Sequence, residues 1–319
     1  MGRKAQVVAC LLVAVLAGPG PAAGEKLVVA YSLSTSSVPL LAAYEKGWFR
    51  EEGIEFELQP QASGPKALEL IHQGQVHVGS PASINLLTAA SRGANIMGVA
   101  TNGTYDKTNP QQALVVKADG AVKALKDLEN RVVAVNGRGT HGDIVLKMDV
   151  FPRLGLTIGR NVTVVEMPWP QMEAAIVGGR IDVGLVYEPY VARLREKKDL
   201  RILSLLEDTI PPEGYLVSVL TMPRNYVQAN PDTVRRFVKA FVRGVQLLKT
   251  NRDEATALWN KWAKLPPEVM KTVLMHGYSD DAGIHVKPVQ SLAEKMKRDG
   301  IIERIPDIET YIWGPAIRR

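Results

Sequence analysis

Hydrophobic residues recur along the chain in short runs that alternate with longer helical patterns. The phrase Gly-x-Val/Ile-x-Val-Gly occurs at residues 74–79 and again at 179–184, each time after an apolar helical pattern. The turns at 80–81 and 188–189 then lead into a further helical pattern. One α/β unit consists of a helix that ends at glycine, a short buried strand and a turn that opens the next helix. The repetition predicts two similar α/β lobes with a ligand-binding cleft between them.

The first half of the chain alternates predicted strands with predicted helices. One helix ends at Gly47, a second runs from 63 to 74 and a third covers 83–91. This βαβαβα order predicts a mostly parallel sheet with helices on both faces. The predicted strands lie at 27–31, 54–58, 76–78, 96–100 and 113–116.

A second series follows and then returns to the first lobe. A long amphipathic helix is predicted from Asn230, after a break at 211–214. We predict that residues 25–116 with 214–319 form the first lobe, that 117–213 form the second, and that the turn-rich segment 117–120 crosses between them. The predicted strands of this part lie at 132–135, 162–165, 181–186, 200–203 and 215–221.

The first 24 residues have the order of a secretory signal. Arg3 and Lys4 precede an apolar run at 7–17, and small residues follow up to Gly24. The run is too short to span a bilayer, so we predict cleavage near Gly24 and export to the periplasm. The single cysteine, Cys10, lies inside this segment, so the mature chain is expected to have no disulfide and no thiol chemistry.

Composition narrows the function classes. The chain has 319 residues, 46% of them hydrophobic, and a formal charge of +6. This mild positive excess suits an anionic ligand. The chain has no basic run interleaved with aromatic residues, which is the pattern that would indicate nucleic acid binding. Dinucleotide, phosphate-loop and Gly-x-Ser-x-Gly motifs are not present, and the histidines lack metal-site spacing. We therefore predict no cofactor, no metal site and no catalytic constellation.

The candidate site follows from the sheet geometry. Ligands of open parallel sheets bind outside the carboxyl ends of the strands, where helix N-termini present unpaired N–H groups. The loops at these ends carry hydroxyls, glycines and one tryptophan, a set that suits a small anionic group with an organic tail. The nominated loops are 32–37, 80–83, 101–103, 137–141, 169–171 and 187–189. The predicted ligand-binding residues are Ser34, Thr35, Ser36, Ser80, Ser83, Asn102, Gly139, Thr140, His141, Trp169, Gln171 and Glu188.

Several of these residues have a second interpretation. Ser36 and Thr140 are equally suited to capping a helix N-terminus. A histidine near a helix start, such as His141, is often a hydrogen-bonded structural residue. Glu188 could clamp an ammonium group, or its carboxylate could simply stabilise the first turn of a helix.

Three segments resemble a known family. They are Ala43 to Ile54 (AYEKGWFREEGI), Leu125 to Val135 (LKDLENRVVAV) and Ala174 to Val183 (AAIVGGRIDV) with the following Glu188-Pro189. Together with the secretory signal they resemble the nitrate/sulfonate/taurine/bicarbonate-type solute-binding proteins of ABC importers, over nearly the whole mature chain. Two departures stand out, Asn130 in place of the family's usual glycine and Pro152 inside the helix after Thr140.

The resemblance implies a two-lobed periplasmic-binding-protein fold of the two-crossover class, an α/β fold with parallel-rich sheets flanked by helices. It implies a monomer that closes on a small anionic or zwitterionic solute and delivers it to a permease and its ATPase. Family relatives also include thiamine-pyrimidine synthases and a desulfinase. A secreted enzyme with His141 and Glu188 as acid and base is therefore the alternative, and sensing for a membrane receptor is a third hypothesis.

Overall fold

The structure, a computed structural model, describes residues 25–61, 63–105, 109–206, 215–216 and 218–319. The predicted signal at 1–24 and the predicted break at 211–214 lie outside these residues. The strands are β1 Glu25–Tyr31, β2 Ile54–Pro60, β3 Ile96–Thr101, β4 Thr104–Tyr105, β5 Gln112–Lys117, β6 Val132–Val135, β7 Thr163–Glu166, β8 Val183–Tyr187, β9 Leu200–Leu205, β10 Tyr215–Leu216, β11 Val219–Pro223, β12 Ile284–His285 and β13 Ile317–Arg318.

Thirteen α-helices alternate with these strands in the described residues. No described helix is long and apolar enough to cross a membrane. The helices are α1 Val38–Glu45, α2 Trp48–Glu51, α3 Gly64–His72, α4 Ser83–Ser91, α5 His141–Val145, α6 Phe151–Arg153, α7 Trp169–Val177, α8 Tyr190–Arg195, α9 Arg224–Ala229, α10 Pro231–Thr250, α11 Arg252–Ala263, α12 Pro267–Thr272 and α13 Val286–Arg298.

The first sheet joins two strand pairs through single bridges. β1 and β2 are parallel, with Glu25 opposite Ile54, and β3 and β11 are antiparallel. Val78 bridges to β1 and Gly79 bridges to β11, which connects the pairs. The predicted strand at 76–78 is therefore reduced to isolated bridges, although Gly74 ends the preceding helix at a left-handed φ of 69°.

The second sheet has five strands in the order β7-β6-β8-β5-β9. β6 runs parallel to β7 and β8, whereas β5 is antiparallel to β8 and β9. The sheets are therefore mixed rather than mostly parallel. The strands that run antiparallel to their neighbours, β5 and β11, come soon after the two passages between the sheets.

Strand β5 differs from the sequence prediction. Residues 113–116 were expected in the first lobe, but β5 pairs with β8 and β9 in the second sheet. The chain thus passes between the sheets before Gln112, and Lys117 to Gly120 forms a tight turn inside the second. A strand buried on both faces carries no periodic signal that identifies its neighbours, which is why its sheet could not be predicted.

The two departures from the family pattern have local structural consequences. Asn130 adopts φ 57°, a left-handed conformation that asparagine tolerates better than most residues. Between α5 and α6 the backbone is π-helical from Leu146 to Val150, directly before the turn that contains Pro152. Proline cannot donate the backbone hydrogen bond that a regular α-helix needs at this position, so the helix changes pitch as it reaches this residue.

Helices bury both sheets. On the first sheet α10 packs against α1 so closely that a Cβ on Gly244 would lie 2.1 Å from the Pro39 carbonyl oxygen. Trp259 of α11 and Phe49 of α2 are buried in the main core. The outer face of the second sheet packs against α7 and α8 in a separate apolar cluster that contains Met172. The main core also includes second-sheet residues such as Val133 and Leu185, so the second sheet contributes to both clusters.

Candidate functional site

A cavity lies between the two sheets, at the end where β1, β6 and β8 terminate. It encloses about 620 Å³ of space outside the protein atoms, part of which opens to solvent. Residues of both sheets line it, as the cleft prediction requires. Seven of the twelve predicted ligand-binding residues contribute to the lining: Ser34, Ser36, Ser80, Thr140, His141, Trp169 and Glu188.

The first wall of the cavity consists of Ser32, Ser34, Ser36 and Ser80. After β1 ends at Tyr31, three serines alternate along a short turn of 3₁₀-helix that leads into α1. Their hydroxyls form a chain, with 2.9 Å from Ser32 to Ser34 and 2.7 Å from Ser34 to Ser36. A hydroxyl both donates and accepts, so this chain can turn donors towards an anion in the cavity.

Ser80 is fixed from behind by two side chains. The Asn102 amide donates to the Ser80 oxygen over 2.7 Å, and the Ser80 hydroxyl donates to Ser218 over 3.2 Å. Asn102 is itself buried and lies outside the lining, so its contact with the cavity is indirect. It positions Ser80, whereas the sequence analysis nominated it as a ligand contact.

Two further predicted residues use their hydroxyls inside the protein. Thr35 is fully buried and donates to the Gln111 side chain over 2.8 Å. Ser83, at the start of α4, donates to the carbonyl oxygen of Leu216 over 2.5 Å. Neither residue lines the cavity. Both hydroxyls are therefore used in hydrogen bonds within the protein.

The last two predicted residues also lie outside the lining. Gly139 has a left-handed φ of 71°, donates to Asp143 over 2.7 Å and accepts from the Asn85 amide through its carbonyl oxygen. Gln171 is exposed in the first turn of α7. Gly139 therefore shapes the turn before α5, and Gln171 faces away from the cavity in this conformation.

The second wall consists of Thr140, His141, Trp169, Tyr187 and Glu188. Thr140 caps α5, as its alternative interpretation requires, because its oxygen accepts from the Asp143 amide over 3.5 Å. Its hydroxyl donates to the Gly137 carbonyl over 2.8 Å. The residue thus caps a helix and lines the cavity at once.

His141 is buried beside an aromatic ring. Its side chain is 2% exposed, and its ring centroid lies 4.6 Å from that of Tyr105. Burial lowers the pKa of the imidazole from about 6.5 to about 3. The side chain is therefore neutral at physiological pH, and it offers the cavity a polar ring rather than a positive charge.

Trp169 and Tyr187 form the aromatic part of the second wall. Their ring centroids are 5.0 Å apart, and the Tyr187 hydroxyl accepts from the Gly142 amide over 2.7 Å. The indole Nε1 of Trp169 is buried and has no hydrogen-bond acceptor among the described residues. The wall thus presents both an apolar ring face and a donor to a solute.

Glu188 follows β8 and precedes a cis peptide bond to Pro189. Its side chain is buried, and its carboxylate accepts from the Ala192 amide over 3.0 Å and lies 3.4 Å from the Arg195 guanidinium. Burial raises the pKa to about 7, although the Ala192 amide, the Arg195 charge and the Leu274 amide act in the opposite direction. The carboxyl group therefore serves first to hold the start of α8.

Part of the lining consists of residues that were not predicted from the sequence. Gln61 and Asn136 directly follow β2 and β6, so the same rule of strand carboxyl ends would have found them. Asn85 lies in the first turn of α4, two residues beyond Ser83. Tyr105 lies in β4, directly before the first passage between the sheets, and His276 lies between α12 and β12. No sequence signal marks either residue as part of the site.

Charge is scarce around the cavity. Among the described lining residues Glu188 is the only carboxylate, and none is lysine or arginine. Hydroxyls, amides and the N–H groups at the starts of the flanking helices therefore supply the polarity. Nowhere in the described residues do three or more metal-ligating side chains cluster into a possible metal site. The arrangement suits noncovalent binding of a small polar solute.

Solved structures share this architecture. The alkanesulfonate-binding protein SsuA of Xanthomonas axonopodis pv. citri, bound to MOPS, is similar over 92% of this chain and 99% of its own, with a TM-score of 0.73 and 19% identity. The fold is that of the periplasmic binding proteins, which confirms the predicted fold class.

The sequence comparison defines the family. Residues 34–255 match the family described as NMT1/THI5 like, and this chain belongs to that family. A Bacillus subtilis protein named as an aliphatic sulfonates-binding protein is 24% identical over 99% of this chain and 96% of its own. The 4-amino-5-hydroxymethyl-2-methylpyrimidine phosphate synthase THI5 of Saccharomyces cerevisiae is 22% identical over 73% of this chain and 68% of its own.

Proposed function

We propose that this protein is the extracytoplasmic solute-binding component of an ABC importer. It captures a small anionic or zwitterionic organic solute of the sulfonate, taurine or nitrate class in the cavity between the sheets. The cavity carries this proposal, because hydroxyls of the first wall face an aromatic ring and helix starts of the second. The names of relatives that bind sulfonates support the same solute class.

Closure of the cleft around the solute is part of the proposal. Contacts between the sheets are already present, since Asn85 of α4 donates to Gly139 and Lys295 of α13 lies 3.1 Å from Asp149. The connection between the sheets consists of the passages before Gln112 and before Tyr215. Strand β4 precedes the first passage and β10 follows the second, and these two strands pair with each other and can act as a hinge. The contacts across the cleft would stabilise the closed form.

Export and partners follow from the same role. We propose that residues 1–24 direct the chain to the periplasm and are removed there. The mature monomer would then deliver its solute to a permease and an ATPase. These expectations rest on the N-terminal pattern and on the class of the relatives.

A screen of ligands tests the proposal. Thermal unfolding of the purified protein is measured with sulfonates, taurine, nitrate, bicarbonate, aromatic acids and pyrimidines. A solute that binds the folded state raises the melting temperature in a concentration-dependent way. We expect a rise with at least one organic anion or zwitterion. Failure of every class, together with turnover of any of them, would contradict the transport role.

An enzyme on the same scaffold is the second candidate. Two observations favour it: the pKa of Glu188 is raised to about 7, and one relative is named as a synthase. In this alternative His141 and Glu188 act as acid and base. His141→Ala would then abolish turnover and leave binding largely intact, whereas a binding protein would show only altered affinity. Product analysis with the wild type and this variant separates the two candidates.

A further inference from the structure

Two amide side chains on the first-sheet side of the cavity have a fixed orientation. The Gln61 nitrogen donates to the Ser80 carbonyl over 3.5 Å, and the Asn85 nitrogen donates to the Gly139 carbonyl. Because carbonyl oxygens only accept, these bonds determine which end of each amide is nitrogen. The remaining ends, Gln61 Oε1 and Asn85 Oδ1, are therefore acceptors.

These two oxygens have no hydrogen-bond donor among the described residues. Gln61 is 9% exposed and Asn85 is 6% exposed, so both oxygens are shielded from solvent, and both residues line the cavity. A buried acceptor without a donor destabilises the folded protein. The first-sheet side of the cavity thus has two buried acceptors without donors, beside serine hydroxyls that already bond to one another or to neighbouring side chains.

On the opposite side of the cavity a buried donor lacks an acceptor. The Trp169 indole N–H is a donor and is likewise buried without an acceptor in the described part of the chain. The two sides are therefore complementary to a solute with two different ends, donor groups towards Gln61 and Asn85 and acceptor oxygens towards Trp169. No lysine or arginine among the described lining residues would repel a cationic donor group.

We propose that the solute carries N–H donors, such as an ammonium or amide group, in addition to its anionic or acceptor end. A simple anion such as nitrate or an alkanesulfonate would leave both amide oxygens unpaired in the closed form. The inference rests on the proposed solute-binding function and narrows its ligand class. It also links closure of the cleft to recognition of the solute, because only a solute with N–H donors can form hydrogen bonds to these two buried oxygens.

Matched ligand pairs test the inference by calorimetric titration of the purified protein. The pairs are taurine with 1-propanesulfonate, β-alanine with butyrate, and 4-(aminomethyl)benzoate with 4-ethylbenzoate. In each pair an ammonium group replaces a methyl group of similar size. We expect the donor-bearing member of any pair that binds to be tighter by about tenfold or more, as one satisfied hydrogen bond would give.

The titrations distinguish failure of the inference from failure of the proposed function. Equal or weaker binding of the donor-bearing members overturns the inference and leaves solute binding in place. No binding by any of the six compounds contradicts the proposed organic-anion function, and the inference falls with it.

A variant locates the discrimination. Gln61→Met keeps the side-chain length but removes the acceptor, so the affinity ratio within the best pair should fall towards one. A purely structural role would weaken both members equally, which would contradict the inference. Asn85→Leu provides a second variant, and Gln73→Met repeats the glutamine exchange at an exposed helix end as the control.

Discussion

The two walls of the cavity achieve polarity in different ways. The first wall is a set of small hydroxyls that bond to one another and to amides, and none of its four serines carries a charge. The second wall contains two buried ionisable groups, His141 and Glu188, both with displaced pKa values. We infer that the first wall adapts to the solute, whereas the second wall makes the protein sensitive to pH.

The largest expected effect concerns His141. Its pKa is about 3 in the folded protein and about 6.5 in the unfolded chain, so the unfolded chain binds more protons between these values. The stability contributed by the neutral ring is present above pH 6.5 and is lost as the pH falls towards 3. The full loss is on the order of 4 kcal/mol.

Chemical denaturation of His141→Phe between pH 7 and pH 4 tests this expectation. Phenylalanine keeps a ring beside Tyr105 but binds no proton, so its unfolding free energy should fall less on acidification than that of the wild type. His72→Phe, at an exposed position, is the control and should retain the wild-type slope. An unchanged slope in His141→Phe would show that the second wall does not respond to acid.

Glu188 should act in the opposite direction. Its pKa is raised to about 7 from an unfolded value of 4.5, so the folded protein holds the extra proton. The associated stability is present below pH 4.5 and is lost as the pH rises through 7, by on the order of 2–3 kcal/mol. Glu188→Gln should therefore flatten the decline of unfolding free energy from pH 4.5 to 7.5. A decline as steep as that of the wild type would contradict the assignment.

The next largest effect on stability concerns Gly142, whose backbone packs closely against residues of the second wall. A Cβ on Gly142 would lie 2.2 Å from Leu185 Cδ2 and 2.7 Å from the Tyr187 hydroxyl. Gly142→Ala should lower the unfolding free energy by about 1–3 kcal/mol and displace Tyr187. Gly314→Ala is the matched control, because no atom lies within 4 Å of its added Cβ. Equal stability of the two variants in urea denaturation would show that the second wall is not tightly packed.

The smallest expected effects distinguish Ser34 from its neighbour Thr35 in the turn before α1. Ser34 lines the cavity, so Ser34→Ala should weaken binding of the best ligand by about three- to tenfold with little change in stability. Thr35 faces inward to Gln111, so Thr35→Val should instead lower the unfolding free energy by about 1 kcal/mol. Calorimetry and denaturation of both variants check this division. The reverse pattern would mean that the turn is oriented differently in the bound protein.

Local patterns predicted most of the elements. α4 covers Ser83–Ser91 as expected, α10 begins at Pro231, and the repeated phrases precede the turns of Ser80 and Glu188 on opposite sides of the cavity. Helix boundaries are set by capping and glycine signals within a few residues, which a single sequence displays. The assignment of β5 failed because strand partners are a property of the whole sheet.

The loops that line the cavity were predicted better than the individual side chains that line it. The rule of strand carboxyl ends nominated the turns of Ser34, Thr140 and Trp169. It does not state which residues of a turn face inward, and so Thr35 and Ser83 were included although their hydroxyls bond within the protein. Such orientations depend on tertiary partners that are distant in sequence.

The central claim is that the cavity between the two walls is the solute-binding site. Ala82 lines this cavity, so Ala82→Phe should fill it, whereas Ala229→Phe adds the same ring at an exposed position of α9. The most direct measurement is calorimetric titration of both variants with the ligand that binds the wild type best. The account predicts wild-type affinity for Ala229→Phe and no measurable binding for a folded Ala82→Phe. Undiminished affinity in Ala82→Phe would contradict it.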